Sequence, residues 1–330
     1  MNVFAQPQVE DPLWDRSTAL QSVDRTQAMN SLRPLYEMAR SGNETGLLKA
    51  LSGIGSDKDL PAPSRDYRVY SFTLGLGDME ADTVGPAVIG WLSNYQPATR
   101  VAHQDHPRMA VPLFNVRAAA QGVTNGWERQ KASIEAERML GGAPDQFISS
   151  YLAAGSAGRR GFIEALEFAT PQQSAELSRI ASDNLAESPE LTLVAARAAM
   201  KSGNMELLRQ SIIFGDGPGL SVALKEASGE LSAEESAELL RHTIETGSAS
   251  NAALAIALLA PATLDDPAVR DLMFINLANR DLGAAAALVL GGSTDPEIHS
   301  RLDEIASGDA GLEKQRAQLA ISFRPAGGEG

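Results

Sequence analysis

The 330 residues contain no cysteine. That absence removes disulfides, thiolate nucleophiles and cysteine-held metals. Aromatic residues are scarce, at 5%, and histidine occurs only four times. Alanine and leucine are abundant and β-branched residues are thin, a balance that favours helices over sheets. No segment alternates apolar and polar residues over a strand's length. The longest uninterrupted apolar run, Ala252 to Ala260, stops at Pro261 and falls well short of a bilayer span, so no membrane insertion is expected. No G-x-S-x-G, S-x-x-K, H-E-x-x-H or Walker pattern occurs, which argues against the common hydrolase and nucleotidase classes.

Basic residues are also in deficit. Against 42 Asp+Glu there are 28 Lys+Arg, a net charge of −14, and residues 171–330 hold 23 of the acids but only 12 of the bases. A surface of that sign repels phosphate backbones and anionic lipid, so nucleic acid is not an expected partner.

What the chain does have is one complete helix hairpin, SPELTLVAARAAMKSGNMELLRQSIIF, from Ser188 to Phe214. Ser188-Pro189 reads as a helix start, and Leu191, Val194, Ala195 and Ala198 fall on one face. Gly203 suits a left-handed helix end, and Asn204 suits the cap of a second helix whose stripe is Met205, Leu208 and Ile212. One hairpin cannot hide its own apolar surface, so neighbours are needed on both sides. Ser41-Gly42-Asn43 and Ser307-Gly308-Asp309 repeat the punctuation, with looser versions at Gly155-Ser156 and Gly247-Ser248. At least five helix-turn-helix joints are expected.

In chain order, residues 1–15 read as a tail. A first helix is expected from Ser17 to Arg40 with an interruption at Pro34, and a hairpin from Arg108 to Gly122 and Asn125 to Leu140. From residue 171 helix starts are regularly marked: Thr170-Pro171, Asp266-Pro267 and Asp295-Pro296 place a cap before a proline, and Thr170/Gln173 and Ser232/Glu235 spell capping boxes. The segments are therefore a tail (1–15), an aromatic-bearing helical region (16–170), an acidic helical-repeat region (171–322) and a second tail (323–330).

Asp266-Pro267-Ala268-Val269-Arg270 resembles the D-P-x-V-R signature of HEAT-type helical repeats, and Asp295-Pro296-Glu297-Ile298-His299 is a copy without the arginine. The resemblance covers mainly residues 266–322. It implies an all-α fold, an α-solenoid of irregular HEAT/TPR-like hairpins that binds other proteins, and implies no chemistry.

Candidate chemistry is sparse. His103-Gln104-Asp105-His106 carries two imidazoles and a carboxylate but no suggested third ligand, so no metal or other cofactor is expected. Gly215 to Gly219 is glycine-rich but follows no strand, which makes it a connector. Arg159 and Arg160 open a helix after Gly155 and form a candidate anion site. Asp265-Asp266 and Asp303-Glu304 are acid pairs whose neighbours on a helix point apart. Val3-Phe4-Ala5 has the small residues a signal peptidase prefers but no apolar segment before it, leaving cytoplasmic and exported locations open.

All three Trp and all five Tyr lie before residue 152. Tyr67, Tyr70, Trp91, Tyr95 and Trp127, interleaved with Arg65, Arg68 and Arg108, form the candidate surface for a protein partner, since Tyr, Trp and Arg anchor interfaces. The expected function is a non-catalytic scaffold. The alternative is a helical-toroid enzyme acting on glycans or cell-wall material, with acids that converge only on folding.

Overall fold

The computed structural model describes residues 13–324; the cleavage-like Val3-Phe4-Ala5 and the end of the C-terminal tail lie outside them. The fold is all-α, with eighteen α-helices and one two-stranded ribbon among the described residues. The described residues pack as two compact units, residues 13–132 with 156–158, and residues 133–155 with 159–324. The division falls inside a helix and not at residue 170, where the composition changes.

The first unit contains α1 (Arg16–Gln21), α2 (Arg25–Arg40), α3 (Glu44–Ser56), α4 (Ala62–Gly75), α5 (Pro86–Ser93), the antiparallel strands β1 (Arg100–Ala102) and β2 (Ala110–Pro112), and most of α6 (Val116–Leu140). The expected Ser17–Arg40 helix is broken at Ser22-Val23-Asp24 and not at Pro34. Asp24 accepts from the Gln27 amide and starts a new helix, whereas Pro34 sits on the exposed face of α2. Between Arg108 and Leu140 no hairpin forms. A short strand is followed by one 25-residue helix, because the apolar face Val116, Ala119, Ala120, Val123 and Trp127 runs through Gly122 without losing its period. Leu32, Leu47, Leu51, Phe72, Leu92 and Val116 are at the centre of this unit's core.

The second unit holds α7 (Pro144–Ala153), α8 (Ser156–Ala165), α9 (Pro171–Asp183), α10 (Thr192–Ser202), α11 (Met205–Ile213), α12 (Gly217–Glu230), α13 (Ala233–Thr246), α14 (Ala249–Leu258), α15 (Pro267–Leu277), α16 (Gly283–Gly291), α17 (Pro296–Ser307) and α18 (Leu312–Ser322), α8 beginning in the first unit. From α9 to α14 each helix packs against its sequence neighbour, as do α15 with α16 and α17 with α18, and many pack against the next helix but one: α10 on α12, α12 on α14, α14 on α16, α16 on α18, and likewise α9 on α11 and α11 on α13. Three side-chain contacts between hairpins in the α9–α13 stretch share one step, whereas Arg270–Glu297 and Asp271–Arg301 further along are 27 and 30 residues apart. Ser182 meets Ser211, Arg197 meets Glu226 and Arg209 meets Glu238, each pair 29 residues apart. Both capping boxes form, and Asp266 and Asp295 cap α15 and α17.

The three Ser-Gly joints are not equivalent. Gly42 and Gly203 are left-handed at φ 67° and 69°, and the amide of the residue after each glycine returns to a carbonyl, Asn43 to Met38 and Asn204 to Ala199. Gly308 stays at φ −71°. Ser188 forms no side-chain cap either; a 3₁₀ turn, Pro189–Leu191, leads into α10 and the Thr192 hydroxyl bonds Pro189 O.

Candidate functional site

Several residues expected at a recognition surface are spent inside the first unit. Asp66 on α4 has no exposed surface; its Oδ1 accepts from Tyr95 Oη and its Oδ2 from the Thr99 amide, both at 2.7 Å. Burial, reinforced by the facing Asp66, raises the Tyr95 phenol above the usual tyrosine range. Trp91 packs on Tyr95 with ring centres 5.3 Å apart. Arg65 donates to Asp57 O at 2.7 Å and to Leu60 O, which holds the link between α3 and α4. These groups staple loops to helices.

Trp127 is a correction to the sequence reading. It is 9% exposed, and its indole donates to Met79 O at 2.8 Å, because its position continues the apolar face of α6 into the core. Arg159 uses Nε and Nη2 to cap the end of α7, donating to Ala154 O and Leu152 O, and its guanidinium lies over the Tyr151 ring. Arg160, next to it, is exposed, as is Arg108 between the two strands.

Tyr67 and Tyr70 flank Phe114 at 5.3 and 5.9 Å and remain half-buried. Arg68 reaches Gln27 Oε1 at 3.4 Å, while its buried Nε has no partner among the described residues. Tyr70 is the expected residue that opens on a groove. With Leu74, it faces Ala118, Gly122 and Gly126 of α6 across about 500 Å³. A second depression of about 530 Å³, with Met29, Tyr36 and Arg40, adjoins the other side of Leu74. Leu74 and Met29 are 50% and 52% exposed. A Cβ added at Gly122 or Gly126 would meet no atom within 4 Å, so the packing of the chain requires neither glycine.

Leu74 and Gly126 were not singled out from the sequence, and Gly122 was read only as the end of a helix. The signal was available: Gly122 and Gly126 stand four apart inside a helical apolar period, where each costs about 1 kcal/mol relative to alanine.

The remaining motifs are structural. His103 Nδ1 accepts the amides of Asp105 and His106 and so tightens a turn, and among the described residues no three ligand-type side chains gather for a metal. Asp216 bonds the Gly217 amide at the start of α12. Asp303 pairs with Arg324 at 2.8 Å, and Asp266 accepts from the Ala268 amide. A concavity of about 710 Å³ in the second unit lies between the end of α12, α13, the end of α14 and the turn before α15. No helix among the described residues is long and apolar enough to cross a membrane. Comparison with protein-family models, curated proteins and solved structures returns no match.

Proposed function

We propose that this protein is a non-catalytic helical-repeat scaffold of the α-solenoid kind, and that its first unit docks a helix of a protein partner in the groove between α4 and α6. The observation that carries the reading is the pair Gly122 and Gly126. Glycines in a helix interior are costly, no internal neighbour needs them small, and they border a groove beside the exposed Leu74. Small residues four apart let a second helix approach closely, and Tyr70 and Leu74 supply the larger side chains that anchor interfaces. The repeat reading draws support from the helix-to-next-but-one packing of the second unit and the 29-residue polar step within its α9–α13 stretch.

A photo-crosslinking amino acid placed at Leu74 in the source cell is expected to trap one discrete protein. The same group at the exposed Lys49 of α3 should not. Gly122→Trp, which fills the groove, should abolish the adduct while the circular dichroism spectrum stays helical. Equal labelling from both positions would remove the assignment.

A further inference from the structure

The second unit carries a cleft independent of that groove. Leu231, Ala237 and Leu258 give it an apolar lining above the buried Leu240, and Ala262, from the turn before α15, lines it too. Leu231 and Leu258 are half-buried at the edge of the core, so this surface is left uncovered by the unit's own helices. Its volume, about 710 Å³, is that of a cleft large enough to receive side chains.

The rim has one dominant sign. Glu234, Glu238 and Asp266 line it against a single base, Arg241, and Arg241 is held by Glu245 at 3.2 Å. Glu238 is bridged by Arg209 at 2.6 Å, whereas Glu234 and Asp266 form no ion pair among the described residues. Helix ends add to the sign. The C-termini of α12 and α14, with the partial negative charge such ends carry, reach the cleft at Ser228 and Leu258. The positive N-termini of α13 and α15 are met by Ser232, Glu235 and Asp266. An apolar floor inside an anionic rim complements a ligand of the opposite design.

We infer that this cleft binds an amphipathic basic helix of a partner protein, leucine-like side chains entering against Leu231 and Leu258 and flanking lysines or arginines meeting Glu234 and Asp266. The mode is a helix laid in a groove between helices. The acidic surplus of residues 171–330 steers a cationic partner toward it and repels polyanions.

The test uses the full chain and a fluorescent probe peptide with leucines at i, i+3, i+4 and i+7 and lysines elsewhere, read by anisotropy. Two controls accompany it: a peptide of the same composition with the leucines spread around the helix, and one with glutamates for lysines. The amphipathic basic peptide is expected to bind at least about tenfold tighter than either. Glu234→Gln with Asp266→Asn, which keeps a capping oxygen, should weaken binding by about fivefold and flatten its salt dependence. Ala237→Phe should weaken it by more than about tenfold by filling the cleft. If Ala237→Phe fails to fold, Ala262→Phe fills the cleft from the turn before α15. Equal binding of the scrambled peptide, or unchanged binding by the filled variants, overturns the inference, since either means attraction to acidic surface alone. So does self-association of the chain that Ala237→Phe or Ala262→Phe abolishes, which would give the cleft to a second copy.

Discussion

Arg197 on α10 donates through Nε to Glu226 Oε2 on α12 at 2.6 Å and through Nη2 to Oε1, a two-point bridge between residues 29 positions apart. Both side chains are about three-quarters shielded. Planar pairing of this kind fixes orientation as well as distance, so it holds one hairpin in register with the next. A double-mutant cycle with Arg197→Met and Glu226→Gln is expected to give a coupling of about 1 kcal/mol in urea unfolding. A coupling near zero would mean that the apolar contacts of α10 and α12 set the register unaided.

The Tyr95–Asp66 bond makes a prediction about alkaline stability. Burial and the facing Asp66 raise the phenol's folded pKa above its unfolded value near 10. The neutral phenol is thus favoured by folding; its contribution is fully present below the unfolded pKa and is lost as pH rises from there toward the folded one. Tyr95→Phe should cost about 2 kcal/mol at pH 7, because a buried oxygen of Asp66 loses its donor. The gap between wild type and variant should narrow as unfolding is repeated at rising pH above 10. A gap that stays constant across that range would refute the linkage.

The glycine joints separate what the sequence shows from what it hides. Gly203→Val and Gly42→Val are each expected to lower stability by about 1–2 kcal/mol, because both residues lie at positive φ although an added Cβ meets nothing. Gly308→Val should cost less, since its backbone is extended at negative φ and the added Cβ meets Ile305 O at 3.3 Å and Glu304 O at 3.8 Å. Thermal midpoints of the three variants decide it, and equal losses would count against the backbone explanation.

That contrast also measures how far the sequence was readable. Capping is local: Thr170 with Gln173, Ser232 with Glu235, and Asp266 and Asp295 before proline were legible because cap and partner lie within three residues. Ser41-Gly42-Asn43 and Ser307-Gly308-Asp309 look alike in sequence, yet only the first turns left-handed. The candidate sites are less local still. Trp127 and Tyr70 are both aromatic residues beside arginines in sequence, and only tertiary packing sends one indole to Met79 and leaves the other ring on a groove. Asp66 carried no sequence signal at all, since its partners Tyr95 and Thr99 lie 29 and 33 residues away.

Gly122 and Gly126 make the sharpest demand on the proposed function. Open space above both means that Gly122→Ala and Gly126→Ala should each raise stability by about 0.5–1 kcal/mol, as alanine favours a helix interior over glycine. Gly90→Ala in α5, where an added Cβ also meets nothing, should stabilise to a similar degree and serves as the control. If the α4–α6 groove receives a partner helix, the two α6 variants gain stability and lose crosslinking from Leu74, because even a methyl group holds the incoming backbone away. The Gly90 variant gains stability and keeps the crosslink. Stabilisation at all three positions with crosslinking unimpaired would leave the α6 glycines without a binding role, and the groove with them.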